Sequence, residues 1–393
     1  MSDNPTNFKV TDSTAGWTEA DFEDIFVRKD CFLEGGLWLW GQAGSGRLGN
    51  NTSFSNQSSP IQTVSGGTNW RSVSLGNAFS AGTKTDGSLW LWGSGSCGKL
   101  GINFVVNCSS PVQTVSGGYN WRSVELGINH SAAIKTDGSL WLWGSGYCGI
   151  LGNNCAVNQS SPVQTVSNGY NWRSVSLGQF HSAAIKTDGS LWLWGENFRG
   201  QLGNNSTADQ SSPIQTVSGG TNWRSISLGT RRSAGIKTNG SLWLWGYNTY
   251  GALGTNNSTC YSSPVQTVSG GYNWRIVSLG SSHSAAIKTD GSLWLWGQGS
   301  GGRLGNNCTT SRSSPVQTVS GGYNWRSVAL GTGHSAAIKT DGSLWLWGFG
   351  YCGRLGNNCV DNQSSPVQTI SGGTNWRSIG LDNHSAAIRE DCW

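Results

Sequence analysis

The six residues Ser-Leu-Trp-Leu-Trp-Gly stand at 88–93 and return unchanged at 139–144, 190–195, 241–246, 292–297 and 343–348, always 51 positions apart. A variant, Gly36-Leu37-Trp38-Leu39-Trp40-Gly41, opens the series. Trp70, Trp121, Trp172, Trp223, Trp274, Trp325 and Trp376 mark a second point of the same period. A fixed period of ~40–50 residues with several strands per unit is the mark of a propeller. Charged residues are only 11% of the chain and Gly numbers 59, so helix formers are scarce and turn formers abundant.

Each unit parses into four short strands, in the second copy Trp121–Leu126, Ser131–Lys135, Leu140–Trp143 and Pro162–Val166. Thr136-Asp137-Gly138-Ser139 joins the second strand to the third. Asp-Gly supplies the positive φ angles of a tight hairpin, so Asp86, Asp137, Asp188, Asp290 and Asp341 read as turn residues, and Asn239 does the same work. Leu-Trp-Leu-Trp does not alternate in polarity, so both faces of the third strand are expected to be buried between neighbouring blades. The chain enters the repeat at a third strand and leaves it at a second. The expectation is therefore an all-β fold, a seven-bladed β-propeller of four-stranded blades. Its ring is closed by N- and C-terminal strands forming one shared blade, which leaves no free sheet edge.

Two places differ between copies: the junction of strands one and two, and the long segment between strands three and four. In an up-and-down blade both lie at one end, so the variation decorates a single face of the disc. The opposite face carries the repeated TDGS turns and blade connections. Loops on a rigid scaffold commonly carry binding. The candidate binding residues are Phe79, Phe104, Tyr147, Phe180, Phe198, Arg199, Arg231, Arg232, Tyr247, Tyr250, Tyr261, Arg312, Phe349 and Tyr351. Tyr and Arg are the types enriched at interface hot spots.

The motif LGxxHSAAIKTDGSLWLWGxxxxGxLG resembles the repeat of the regulator of chromosome condensation (RCC1) family. The resemblance covers about residues 35–393. It implies a seven-bladed propeller and leaves function open, because the founding member is a chromatin-bound guanine-nucleotide exchange factor and relatives do other things. This chain departs from an exchange factor in having no basic tail and in the near-identity of its blades. A second resemblance, of Glu19–Trp38 to the openings of RCC1-repeat proteins of marine cyanobacterial phages, implies a virion protein.

Residues 1–34 form an acidic leader with three basic and eight acidic groups, set apart from a propeller domain at 35–393. Thr18-Glu-Ala-Asp21 fits a helix capping box, and Trp17, Phe22, Ile25 and Phe26 fit an apolar stripe, a candidate anchor. The start has no apolar core of a secretion signal, and no run approaches the ~20 apolar residues of a membrane span, so membrane insertion is not expected. No Lys/Arg run suggests a nucleic-acid partner. The five His occupy one repeat position and read as packing or hydrogen-bonding residues. Cys148/Cys155 and Cys352/Cys359 share C-x6-C spacing, and Cys31 and Cys392 fall near the same broken hairpin; disulfides and free thiols both stay open for them. The Cys spacing is no zinc finger, and the Gly-rich Gly41–Gly49 lacks the Lys-Ser/Thr of a phosphate loop, so no metal and no cofactor is expected. No nucleophile has a placed base.

The functional expectation is a non-enzymatic virion accessory protein. Its leader would attach to other virion proteins, and its variable face would meet a host-surface protein or glycan. It would be made in the host cytoplasm. The alternatives are an intracellular RCC1-type interaction scaffold or GTPase regulator, and a carbohydrate-binding lectin.

Overall fold

A computed structural model describes residues 35–167 and 169–390. Twenty-eight strands form seven antiparallel four-stranded sheets. Blade 1 begins at Trp70, and blades 2 to 6 follow at Trp121, Trp172, Trp223, Trp274 and Trp325. Blade 7 is shared by the two ends of the described chain: Gln57–Gln62, Gly35–Gly41, His384–Glu390 and Trp376–Leu381 lie side by side in that order. Gly35 pairs with Glu390 and Gly41 with His384, so the closing seam is an unbroken ladder. The first strands of consecutive blades lie against one another all the way round, which places them on the axis. The leader residues Trp17, Phe22, Ile25 and Phe26, together with Cys31 and Cys392, lie outside the described residues.

In a representative blade the strands are Trp121–Leu126, His130–Lys135, Leu140–Gly144 and Gln159–Gln164. Three match the sequence reading within a residue. The fourth begins three residues before Pro162, because it is the outermost strand, where a residue without an N–H is tolerated. Its ladder is irregular between Gln159 and Val163, as the proline demands.

The Leu-Trp-Leu-Trp strand alternates in size rather than polarity. Leu140 and Leu142 pack with Trp172 and Trp194 of the next blade, while Trp143 packs with Leu89 and Leu91 of the previous one. Seven such clusters, one per junction, make up the core. Removing one buried indole would cost about 3–5 kcal/mol. The first Trp of each pair is only half-buried, since it sits at the sheet's end. Trp141 Nε1 donates to Ser139 Oγ, and Lys135 Nζ lies 4.7 Å from the Trp141 ring centroid and 4.9 Å from that of Trp121.

One carbonyl per junction organises the polar core. Ile150 O accepts from Trp194 Nε1 (2.9 Å) and from Ser182 Oγ (2.8 Å) of the next blade. Having spent its proton, Ser182 Oγ accepts from His130 Nε2 at 3.0 Å. This makes the five histidines Nε2–H tautomers, buried and linking blade to blade at 2.7–3.0 Å. Burial holds His130 and His181 down to about 3 and the other three well below their ordinary value. A glycine beside the carbonyl lets the indole in: at Gly152, with φ +65°, an added Cβ would lie 2.8 Å from Trp194 Nε1.

A second belt circles the axis at the other end. Arg122 Nη2 donates to the carbonyls of Trp172 and Arg173 (2.9 and 2.7 Å), and Arg173, Arg224, Arg275 and Arg326 repeat the pattern on the blade that follows each. Arg377 reaches Arg71 O across the seam at 3.1 Å.

Candidate interaction face

The variable loops are held stiffly. Each third-to-fourth segment turns back through an Asn with positive φ, such as Asn154 at +59°, a conformation Asn tolerates well. Asn154 N donates to Ser211 O of the next blade, and Ser211 Oγ donates to Asn154 Oδ1. In blade 3 the buried Asn197 adds an internal brace. Its Nδ2 donates to Asn204 Oδ1, Ser206 O and Ala208 O, and its Oδ1 accepts from Leu202 N. Side chains on these loops are therefore presented from fixed backbone.

On blades 2 to 4 six of them converge. The rings of Tyr147 and Phe180 meet edge-on at 5.9 Å. The Arg231 guanidinium lies 5.1 Å from the Phe180 centroid and 4.7 Å from that of Phe198. Arg199 lies 5.0 Å from both Phe198 and Tyr247. The result is a continuous ladder, Tyr147–Phe180–Arg231–Phe198–Arg199–Tyr247, drawn from three blades. Glu196 orients its centre by an ion pair to Arg231 Nε at 3.0 Å and accepts from Gln201 Nε2 at 3.1 Å. Tyr147 is 57% and Phe198 44% exposed, so the ladder offers aromatic area to solvent while its arginines are already aimed.

The other half of the face differs. Arg303, Arg354, Arg47 and Lys99 occupy one repeat position in blades 5, 6, 7 and 1, all buried, where blades 2 to 4 carry Ile150, Gln201 and Ala252. Burial pulls Lys99 down to about 8, with the Arg47 charge adding to the fall and Cys97 and Asp382 opposing it. Asp382, pushed up to about 6 by burial, is the acid whose field reaches Arg47 and Arg354. The face is thus aromatic on one side and underlain by cations on the other.

The remaining candidates fall in separate places. Phe349 lies under Arg303 at 5.0 Å, and Tyr351 beside Arg354 at 5.9 Å. Tyr250 lines a shallow cleft with Asn257, Ser258, Ser311 and Ser313. Tyr261 is half-buried and its hydroxyl accepts from Asn257 Nδ2, while Arg312 and Phe104 are exposed. Phe79 and Arg232 are corrections to the sequence reading: both are buried at the histidine position. Phe79 fills it with apolar bulk. Arg232 replaces the imidazole link by donating to the carbonyls of Gly280, Ser281 and His283. Cys148, Cys155, Cys352 and Cys359 are free thiols; that of Cys359 donates to Asp361 Oδ2 at 3.0 Å. Among the described residues no group of three or more His, Cys, Asp or Glu is arranged to hold a metal ion.

Sequence reasoning named every rung of the ladder but not its continuity. The signal was a constant offset: Tyr147 to Phe180 and Phe198 to Arg231 are both 33 residues, the separation that brings one blade's third-to-fourth loop against the next blade's first-to-second loop.

A family model described as RCC1-like domain matches residues 31–324. The ultraviolet-B receptor UVR8 of Arabidopsis thaliana is 28% identical over 312 residues, which is 75% of this chain and 69% of the receptor. The mitochondrial RCC1 domain-containing protein RUG3 of the same plant is 27% identical over 369 residues, 84% of this chain and 82% of that protein. Among solved structures, Prp20p from Saccharomyces cerevisiae, described with its binding properties to Gsp1p and histones, superposes with a TM-score of 0.81 at 18% identity, covering 96% of this chain and 95% of that one.

Proposed function

Since the chain belongs to the RCC1-like domain family, we propose that it is a non-enzymatic binding protein whose variable face engages a protein partner. The observation that carries this reading is the ladder from Tyr147 to Tyr247, six aromatic and arginine side chains fixed in one line across three blades. Aromatic and Arg side chains dominate interface energetics when a partner desolvates them. The cation-bearing half of the face selects a partner that is acidic on one side and apolar on the other. The binding of Prp20p to a protein partner supports the same class of function here.

The test is quantitative affinity capture with the wild-type chain, Phe198→Ala and Arg231→Ala. A partner recovered by the wild type and lost by at least about tenfold with both variants supports the reading; each rung is then worth on the order of 1–2 kcal/mol or more. Equal recovery by all three refutes it. Where the partner sits is a separate proposal. The phage-like leader motivates a virion setting, with the leader attached to other virion proteins, and mass spectrometry of purified particles beside lysate decides it. Recovery only in the soluble fraction excludes the virion reading and leaves the intracellular scaffold or GTPase regulator.

A further inference from the structure

The third-to-fourth loop of blade 3 is folded unlike its six sisters. In those, one repeat position holds Ser45, Cys97, Cys148, Tyr250, Gly301 or Cys352, all with φ between +52° and +70° inside a tight 3-10 turn. In blade 3 the position is Arg199, which has no positive φ, and no 3-10 turn forms there. Gln201 supplies the alternative. Its Oε1 accepts from Arg199 N at 2.9 Å, and its Nε2 donates to Glu196 Oε2 at 3.1 Å. Both Gln201 and Glu196 are buried, and each is found at its repeat position in this copy alone. One buried amide therefore fixes the backbone under Arg199 and aims the carboxylate of Glu196.

This arrangement treats the two guanidiniums of the ladder differently. Arg231 is answered within the chain, by Glu196 at 3.0 Å. Arg199 is exposed, and among the described residues it has no ion pair and its guanidinium makes no hydrogen bond. What holds it are the rings of Phe198 and Tyr247, each with its centroid 5.0 Å away. Asp209, the other acid of this loop, accepts from Asn197 N at 2.7 Å and forms no ion pair with either arginine. The ladder thus carries one positive charge that the fold leaves unanswered, on a guanidinium set between two aromatic rings.

We propose that Arg199 is the receptor for a single carboxylate, the side chain of an aspartate or glutamate flanked by apolar or aromatic residues in the protein partner. This rests on the reading of the ladder as the binding face and adds its charge specificity. A guanidinium offers paired N–H donors that match the two oxygens of a carboxylate. Two rings already restrict the side chain, so less rotamer freedom is lost when the acid arrives. The same rings offer apolar area to the residues on either side of that acid. A phosphate also pairs with guanidinium groups, but it brings up to about two negative charges. One unanswered cation stands here, and the Glu196 carboxylate on the neighbouring rung opposes the second charge.

The experiment is fluorescence anisotropy of a short dye-labelled peptide with one glutamate between two phenylalanines, titrated with the full chain at low salt. The same peptide with glutamine, and with phosphoserine, in place of the glutamate runs in parallel. The glutamate peptide is expected to bind about 2- to 5-fold more tightly than the glutamine peptide, the worth of one exposed ion pair. That advantage should shrink as salt rises. It should vanish in Arg199→Gln, which keeps the backbone bond to Gln201 and so folds. Arg199→Glu should reverse the preference, toward a lysine peptide. Phe198→Ala separates the two levels of the argument, since it removes a ladder ring and leaves the charge. If the glutamate and glutamine peptides bind alike and Phe198→Ala weakens both, the ladder stands as a binding face and the carboxylate receptor is overturned. Tighter binding of the phosphoserine peptide also overturns it. If no peptide binds, the receptor and the ladder reading both fail.

Discussion

The serine at the start of each second strand offers a sharp energetic test, because the chain contains its own control. Ser182 Oγ donates to Ile150 O and accepts from His130 Nε2. Ser131 Oγ makes the equivalent bond to Lys99 O at 2.7 Å, but Phe79 stands where its histidine would be. Ser131→Ala removes one hydrogen bond from a carbonyl that keeps Trp143 Nε1 at 2.9 Å, a loss of about 0.5–1.5 kcal/mol. Ser182→Ala loses as much and also strands a fully buried imidazole N–H, which adds about 1–3 kcal/mol. The two variants should therefore differ by about 1–3 kcal/mol although the substitution is the same. Guanidinium unfolding monitored by the tryptophans reads this as a lower midpoint at unchanged slope. Adding His130→Phe to Ser182→Ala gives the same pairing that Ser131→Ala leaves beside Phe79 and should recover most of the difference. Equal costs for the two serine variants, within about 0.5 kcal/mol, would refute the assigned tautomer and with it the role of the histidines as links.

Two further outcomes follow from buried ionisable groups. The five histidines are held neutral far below their unfolded value, so beneath about pH 6.5 the unfolded chain takes up protons that the folded one refuses, and stability falls steadily toward pH 3; denaturant midpoints at pH 7, 5 and 4 measure this, and a flat profile would contradict it. Glu125 has the opposite sign: burial pushes it up to about 7, with the Ser74 hydroxyl opposing. Its folded form binds a proton more tightly than its unfolded form, so its contribution weakens as pH rises through 7, and Glu125→Ser, the residue of four sister blades, should stabilise the chain at pH 8 more than at pH 5.

Local chemistry made much of the fold legible in the sequence. Asp137-Gly138 announced its hairpin, but only Gly138 takes the positive φ, +82°, that the sequence reading gave to both; Asp137 instead braces the turn, its Oδ1 accepting from Ser139 N and Oγ. The third strand declared two buried faces because it has no polar alternation. What the sequence hid depends on neighbours 32 to 52 positions away. Phe79 and Arg232 looked like surface variation because they interrupt a conserved-looking His, whereas they are alternative solutions to one buried junction. The ladder was hidden for the same reason: Phe198 and Arg231 meet only across a blade boundary. The start of the fourth strand was misjudged at Pro162, because the outermost strand is the one place where a proline can be passed through.

The shared blade sets a clock on biosynthesis. Gly35–Gly41 leaves the ribosome roughly 340 residues before its partner strand His384–Glu390, an interval on the order of 20–70 s at about 5–20 residues per second. Throughout that time Gly35–Gly41 is a half-paired tryptophan-bearing edge, in a chain that keeps producing near-copies of it. Each new Leu-Trp-Leu-Trp strand arrives only a few residues after its own second strand and is captured locally, so the early strand is left waiting for His384–Glu390, the second strand whose third-strand partner is Gly35–Gly41 itself. The order of synthesis thus sorts identical sequences that their affinities alone would not distinguish.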